Sequence, residues 1–535
     1  MNSQQLHEAA HVATFLTMET RISFYSASNG AQPRLLSILT AIVVALAGCD
    51  SGNAGTGPAP ETSEEWPTGP VPLVNFDASG SPLVHFDLDG NHVDAHGGEL
   101  RKFGDTYYLY GETYGCGFEW RKHSPSPFCG FRVYTSKNLT DWKDEGLLFD
   151  VSAWEPWQAR CNWWTYGCFR PHVAYNRATG KYVLWVNVYK HPVNYYVLES
   201  SSPIGPFIER GVPRLAFNYD AEPLLVNNGD HNLFVDDDGT GYVIYTEWAI
   251  GGGDLVVERL TPDYLNGTGE YARLEVRGRE SPSLFKRDGR YYVTASSPPN
   301  AAYGTSATTY SMAPSPLGPW SRPQEISRTS CGGQPFHVSQ LPTSTGGNLY
   351  LYQSDLWLNT DGVGAGDPNQ APAPQFWAPL SFDGQGNILP ISCGASYGVD
   401  LQTALPPDTN RSLYRLQCDI GPGLIGTISR EFQTTASKSG ELRSVSIPIY
   451  QRGEPDAALA VEVRAAGGQL LKRQEIERNA GPWDVPPNIS WSAEKLRVLI
   501  GAPVLAGQAL DVRLSSSTRV GATASPSGMG CHGLP

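Results

Sequence analysis

Five short stretches decide the fold: GDTYYLYGE from Gly104, TGKYVLWVN from Thr179, GTGYVIYTE from Gly239, DGRYYVTAS from Asp288 and GGNLYLYQS from Gly346. Each is a Gly/Asp turn that runs into a strand of aromatic and β-branched residues, the side chains that suit a pleated, buried surface. Each follows a short apolar run headed by a polar residue: His96, Arg170, Asp230, Glu280 and, in the last unit, a segment carrying Gln334. Units recurring at roughly 50–75 residue spacing, with about four strands apiece, indicate radial repetition of blades around an axis. Strands apolar on both faces fit that arrangement, because each blade lies between two others. Five units predict a five-bladed β-propeller, and in that geometry the five polar heads gather at the axis.

The blade edges carry an echo of their own: YTSKNLTDW near Tyr134, ESSSPIGPF near Glu199 and TYSMAPSPLGPW near Thr309. Each reads as a strand, a polar turn and an aromatic, the pattern of outer strands. The repeat region spans 73–405. Beyond Pro406 aromatics thin out and short alternating runs appear, SVSIPIY, LAVEVRA, LRVLIG and LDVRLSS, separated by Gly/Pro turns. This spacing predicts a β-sandwich over 410–523, followed by a Gly/Ser-rich tail ending near Cys531. The chain is therefore read as all-β. The second module is either carbohydrate-binding or structural; its aromatics are few (Trp483, Trp491, Tyr450).

Ahead of the repeats, Arg34 precedes LLSILTAIVVALAGC, an apolar run too short for a transmembrane span and matching a signal-peptide core. Its end, Leu46-Ala47-Gly48-Cys49, resembles the bacterial lipobox, which implies lipidation of Cys49. Residues 1–48 are read as leader and lipoprotein signal peptide, and 49–72, rich in Asp, Ser, Gly, Thr and Pro, as a flexible tether. The expectation is an exported bacterial lipoprotein, at the cell surface or in the periplasm, that touches the membrane through its lipid only. Of nine cysteines, eight remain once Cys49 is set aside, an even number suited to an oxidising compartment. Cys116 with Cys129 and Cys161 with Cys168 are candidate loop closures at the propeller mouth, where they could block one side of the funnel. No CxxC spacing suggests zinc. A net charge of −14 argues against nucleic acid and anionic surfaces as partners and fits a neutral ligand.

Two carboxylates stand out by position. Asp230 heads the third inner strand (DHNLFVDDDG) and Glu280 the fourth (ESPSLFKRDG), so adjacent blades aim both into the funnel. Paired carboxyl groups flanking a scissile bond are the equipment of glycoside hydrolysis. One of them must keep its proton at neutral pH, through burial or a neighbouring negative charge. The run Asp236-Asp237-Asp238 before Gly239 is read instead as a solvated hairpin turn.

Several segments, in order, resemble glycoside hydrolase family 43, and within it the galactan 1,3-β-galactosidases. They are AHGGEL with YYLYGE, FRPHVAYNRATGKYVLWVN, SSPIGPF, DHNLFVDDDGTGYVIYTE, RESPSLFKRDGRYYVTAS, SPLGPW and QFWAPLSF, and they cover roughly Phe86 to Leu389. The resemblance implies a five-bladed propeller and inverting hydrolysis of glycosidic bonds, with a polysaccharide or oligosaccharide as substrate. It implies Glu280 as general acid and Asp230 as the carboxylate that orients it and raises its pKa. The family's first-blade aspartate base is replaced here by His96, a departure shared with the 1,3-galactanase branch. In that branch a glutamine, as its imidic acid tautomer, is held to serve the attacking water. Gln334 matches that glutamine better than Gln340, because Val338 keeps its place four residues on. Asp94 is a rival base, two residues before the matching position. The branch's second-blade Glu-Arg-Pro reads Phe169-Arg170-Pro171 here, which opens the choice of sugar.

His96, Arg170, Glu112 and Glu247 are further candidate sugar contacts, and Trp357 and Trp377 candidate stacking faces. The tryptophans around Cys161 (Trp154, Trp157, Trp163, Trp164) are either core or substrate entrance. No organic cofactor is implied and none is required; a structural calcium at the propeller axis is compatible with the sequence but not indicated by it. The leading expectation is an exo-acting galactan 1,3-β-galactosidase. The alternatives are another family 43 specificity (α-L-arabinofuranosidase, β-xylosidase or galactofuranosidase) and a non-catalytic propeller that captures glycan.

Overall fold

The computed structural model describes residues 70–535 except 77–79, 81, 90, 116–127, 154–157, 162–166, 189–193, 218–227, 249–251, 298–305, 358–370, 372, 408–412, 420–424, 448, 452–458, 466, 477–495, 523–529 and 535. The leader, Cys49, Cys116, the four tryptophans around Cys161, Trp483 and Trp491 lie outside the described residues.

Five antiparallel sheets follow one another along the chain, each with its strands in sequence order. Blade 1 comprises His96–Phe103, Thr106–Glu112, Phe131–Ser136 and Lys143–Leu147. Blade 2 comprises Cys168–Asn176, Lys181–Val188, Asn194–Ser200 and Ile208–Gly211. Blade 3 comprises His231–Val235, Gly241–Glu247, Asp254–Leu260 and Gly267–Leu274. Blade 4 comprises Glu280–Arg287, Arg290–Ser297, Ala307–Ala313 and Gln324–Ser327. Blade 5 has three strands, Gln334–Pro342, Asn348–Asp355 and Gln375–Pro379. The architecture is the five-bladed propeller that the repeats predict.

Why these residues build blades is plain in the second strands. All five opening turns place a glycine at positive φ: Gly104 (59°), Gly180 (67°), Gly239 (86°), Gly289 (73°) and Gly346 (88°). That conformation reverses the chain tightly and is open to glycine without a Cβ penalty. Beyond the turn, side chains alternate between two buried faces. In blade 3, Val243 and Tyr245 pack toward blade 2 with Val183, Trp185 and Tyr195. Their neighbours Tyr242 and Ile244 pack toward blade 4 with Leu284, Tyr291 and Val293. Each of the five seams has such a cluster, at roughly 1.5–3 kcal/mol per fully buried large side chain. The ring closes between blades 5 and 1, where Val71–Val74 pairs antiparallel with Ser396–Val399. Val71, Leu73 and Val399 there join Leu100 and Tyr107 of blade 1 and Leu341, Leu351 and Trp377 of blade 5.

The C-terminal part forms two sheets. One contains Leu496–Val504, Gly440–Ile447, Leu413–Asp419 and Gly530–Leu534; the other contains Ile425–Thr435, Ala509–Ala522, Leu459–Ala465 and Leu470–Ile476, with Ile449–Gln451 paired beside Ala509–Ala522. Leu416, Leu442, Val445 and Ile500 of the first meet Val461, Val463, Val512 and Leu514 of the second in a single core, the layout of a sandwich. The sequence reading ends this module too early. Gly530–Leu534 returns to pair with Leu413–Asp419, and Cys418 is joined to Cys531. Two other cross-links are Cys161–Cys168, as expected, and Cys331–Cys393, which the spacing did not suggest. Cys129 is also disulfide-bonded.

Candidate active site

The inner strands begin in irregular backbone. Pairing slips between His96 and Glu99 in blade 1, Phe169 and His172 in blade 2, Glu280 and Ser283 in blade 4, and Pro335 and His337 in blade 5. A bulge re-aims the side chains beside it, and bulges are frequent next to active sites. Arg170 (φ 57°) and Ser281 (φ 53°) sit in the left-handed region within these slips. Non-glycine residues held there are strained, which the surrounding contacts must over-determine.

Those contacts converge on one guanidinium. Arg170, buried in blade 2, places Nη2 2.9 Å from Asp230 Oδ2 of blade 3. It donates to Ser281 Oγ of blade 4 at 2.6 Å and to Gln334 Oε1 of blade 5 at 3.1 Å, while Nη1 reaches the Gly97 carbonyl of blade 1 at 3.4 Å. One side chain thus touches all four other blades. Burial alone would lower its pKa, but Asp230 outweighs burial and the net shift is upward, so the charge is permanent. Asp230 Oδ2 also accepts from Ser281 N and Ser281 Oγ, both at 3.0 Å. Gln334 Nε2 donates to Glu280 Oε2 at 3.5 Å. Arg170, Asp230, Glu280 and Gln334, four of the five sequence heads, therefore form one connected set at the axis.

The orientation of Gln334 follows from its neighbours. Oε1 accepts from Arg170 and also from Trp357 Nε1 at 3.1 Å, and both partners are donors only. The reverse orientation would set an N–H₂ against two donors. Nε2 is thus the end of the side chain that faces Glu280. Trp357, expected as a stacking face, is 8% exposed, packed among Tyr114, Cys129, Ala371 and Ala373, and donates to Gln334.

His96 is fully enclosed. Its Nδ1 lies 3.2 Å from Asp355 Oδ1, and its Nε2 lies 3.1 Å from the Ala371 carbonyl and 3.5 Å from Asp94 Oδ1. Burial would lower its pKa, but the two aspartates raise it to about 10. His96 is thus an imidazolium linking blade 1 to blade 5, and with both nitrogens engaged it presents none to a sugar. Asp94 is equally committed: Oδ2 accepts from Thr113 Oγ1, Tyr114 N and Gly115 N. Glu112, directly across the strand pair from His96, is buried, with Oε2 accepting the Tyr114 hydroxyl at 3.0 Å and Oε1 enclosed without a hydrogen-bond partner among the described residues. Burial pushes its pKa well above the usual carboxylate range.

Two expected sugar contacts lie elsewhere. Glu247 is buried against Arg273 at 2.6 Å, inside blade 3. Trp377, 1% exposed, fills the seam between blades 5 and 1 and donates to Gln375 Oε1, so it offers no stacking face. Ser281 and Asp355 are the residues that sequence reasoning missed. Asp355 closes the apolar run LYLYQSD, and an acid ending a buried strand must be paired, which was the available signal.

Along the same inner strands, Glu99, His172 and His337 bring potential metal ligands within 4.8 Å of one another. Glu99 Oε2 already faces Arg101 Nε at 2.8 Å and His172 Nδ1 at 3.1 Å, and Oε1 accepts from Val173 N. Despite burial, Arg101 and His172 hold its pKa at about 2. Calcium takes six to eight oxygen ligands. A single carboxylate committed to an arginine, ringed by imidazoles, does not fit that ion.

A sheet ring that gathers Asp230 and Glu280 into one connected set is compatible with glycoside hydrolysis, and residues 91–355 match the family described as glycosyl hydrolases family 43. That region is a family 43 domain, and the protein is a glycoside hydrolase. It is similar to an exo-β-1,3-galactanase of Clostridium thermocellum, with 26% identity over 66% of this chain and 73% of that one, at a TM-score of 0.50. An exo-β-1,3-galactanase of Phanerochaete chrysosporium matches at 18% identity over 84% and 99% of the two chains, at a TM-score of 0.49. No curated protein matches the chain in sequence.

Proposed function

We propose that the protein is an exported, lipid-anchored, inverting hydrolase that removes galactose from the ends of β-1,3-galactan. The observation that carries the reading is the Arg170-centred set, which fixes Asp230 beside the strand that presents Glu280. In this mechanism Glu280 protonates the leaving glycosidic oxygen. Asp230, immobilised by Arg170 and Ser281, keeps negative charge near Glu280 and so favours its protonated form. Gln334 donates to Glu280 and keeps a second N–H for the water or a sugar hydroxyl. The likeness to the Clostridium thermocellum galactanase supports galactan as substrate. We assign catalysis to 73–405 and an accessory role to the sandwich, extended from 410–523 to Leu534. The lipobox at Cys49 and the cross-links Cys161–Cys168, Cys331–Cys393 and Cys418–Cys531, stable in oxidising compartments, support export.

One observation favours a second specificity. Phe169, next to Arg170, packs against the cluster of Tyr114, Trp357, Ala371 and Ala373 and so brings an apolar surface to the site. That suits a pentose, which has one hydroxymethyl group or hydroxyl fewer, as an α-L-arabinofuranosidase or β-xylosidase would use. Purified protein starting at Cys49, assayed on β-1,3-galactan and on aryl galactosides, arabinofuranosides and xylosides, decides between them. Galactose as the sole early product supports the galactanase; turnover confined to a pentoside replaces it.

A further inference from the structure

Two residues at the axis keep a backbone that their side chains disfavour, and the two are bonded to each other. Arg170 (φ 57°) and Ser281 (φ 53°) are left-handed, a region that strains any residue but glycine. Each also precedes a proline, Pro171 and Pro282, where the chain ordinarily runs extended. Arg170 Nη2 donates to Ser281 Oγ at 2.6 Å, from blade 2 to blade 4. Strain retained at a site points to side chains that must be aimed.

Ser281 is 2% exposed and so is closed to a sugar; its contacts are with the acid machinery. Its hydroxyl accepts from Arg170 and donates to Asp230 Oδ2 at 3.0 Å, and its backbone N–H meets the same oxygen at 3.0 Å. That N–H belongs to the peptide joining Ser281 to Glu280, so Asp230 is tied to the backbone that carries the general acid. The amide and the guanidinium grip Oδ2 from two blades, and the hydroxyl bridges them, polarised by the positive charge on one side. Strand pairing slips between Glu280 and Ser283, the local irregularity that aims both groups of Ser281 at blade 3.

We propose that Ser281 is a positioning residue for proton transfer to the leaving group: its hydroxyl links Arg170 to Asp230 and so fixes the Asp230 carboxylate against the peptide that carries Glu280. The inference rests on the reading of Glu280 as acid and Asp230 as its charged neighbour given above. Ser281 acts through Asp230 and makes no bond to substrate. Without the hydroxyl, Asp230 loses an anchor, its negative charge moves off Glu280, and the acid gives up its proton at lower pH. The loss is felt where the acid matters: a stable leaving anion departs with little protonation, whereas a poor one needs the full proton transfer. Two substitutions separate hydroxyl from strain. Ser281→Ala removes the hydroxyl and keeps the strain; Ser281→Gly removes both, because glycine takes this φ freely.

The test uses the protein from Cys49 onward and two aryl glycosides of the sugar that the wild type cleaves best, one phenyl and one dinitrophenyl. Ser281→Ala and Ser281→Gly should each lose kcat by roughly 10–100-fold on the phenyl glycoside, with KM near wild type, and by no more than a few-fold on the dinitrophenyl glycoside. The alkaline limb of kcat should move to lower pH by roughly 0.5 pH unit or more. The other charged groups around the acid are the same in wild type and both variants: Arg170 of blade 2, His96, Asp94 and Glu112 of blade 1, Asp355 of blade 5, and Arg279 beside Glu280. The shift therefore reports Asp230. On the dinitrophenyl glycoside, adding Ser281→Ala to Asp230→Asn should move the limb no further. The proposal is overturned by equal losses on the two glycosides, by an unmoved limb, or by a Ser281→Gly that behaves as wild type while Ser281→Ala does not, which would assign the effect to strain. Should Ser281→Ala fail to fold, Ser281→Gly decides by the same limb. Near-normal turnover of the phenyl glycoside by Glu280→Gln would instead overturn the reading of the acid on which the inference rests.

Discussion

Replacing His96 by glutamine should destabilise the propeller by an amount that depends on pH in a definite direction. The imidazole lies between Asp355 and Asp94 and titrates at about 10, against 6.5 for an ordinary histidine. A shift of that size corresponds to roughly 4–5 kcal/mol of preference for the charged form. Below pH 6.5 the ring is protonated in both folded and unfolded chains, and the contribution is complete. Between 6.5 and 10 the unfolded chain has lost a proton that the folded chain keeps, so stability falls as pH rises; above about 10 the contribution is gone. Urea unfolding of wild type and His96→Gln at pH 6, 8 and 10 measures the difference directly. The gap should be widest at pH 6 and should narrow by several kcal/mol by pH 10. A gap that stays constant across this range would refute the imidazolium and leave His96 as a neutral hydrogen-bonding residue.

Other predictions follow from single contacts. Arg170→Met removes one partner of a buried ion pair and should cost roughly 3–5 kcal/mol in unfolding experiments. It should also cut kcat/KM at least about a hundredfold by freeing Asp230 and Gln334. Removing Cys418–Cys531, whose ends are 113 positions apart in sequence, should cost about 5 kcal/mol, against about 2.5 kcal/mol for Cys161–Cys168 at a separation of 7, as read from denaturant midpoints of the two Cys→Ala pairs. Phe169→Glu adds a hydroxyl acceptor beside Arg170 and should raise the ratio of galactosidase to pentosidase activity by roughly tenfold or more. An unchanged ratio would remove Phe169 from the specificity argument.

The propeller was legible because its signal is repeated: five glycine turns each lead into a strand buried on both faces, as blades packed between neighbouring blades require. The heads Arg170, Asp230, Glu280 and Gln334 were legible for the same reason, since the residue that opens an inner strand reaches the axis. Position alone failed where both faces are buried. Glu247 and Trp377 sit in strands as apolar as the rest, and nothing local says which side faces the funnel. His96 was placed correctly in the ring, but its charge comes from Asp355, which lies 259 residues away in sequence. The pairing of Cys418 with Cys531, and with it the return of the last strand, is likewise a long-range event that spacing does not encode.

The central claim is that Glu280 is the proton donor of an inverting hydrolysis. Proton NMR of the first turnovers on β-1,3-galactooligosaccharide, run with wild type and with Glu280→Gln, tests it most directly. The account predicts α-galactose as the first anomer from wild type and no product from a variant that still binds the sugar. β-Galactose as the first anomer, or near-normal turnover by Glu280→Gln, would contradict it.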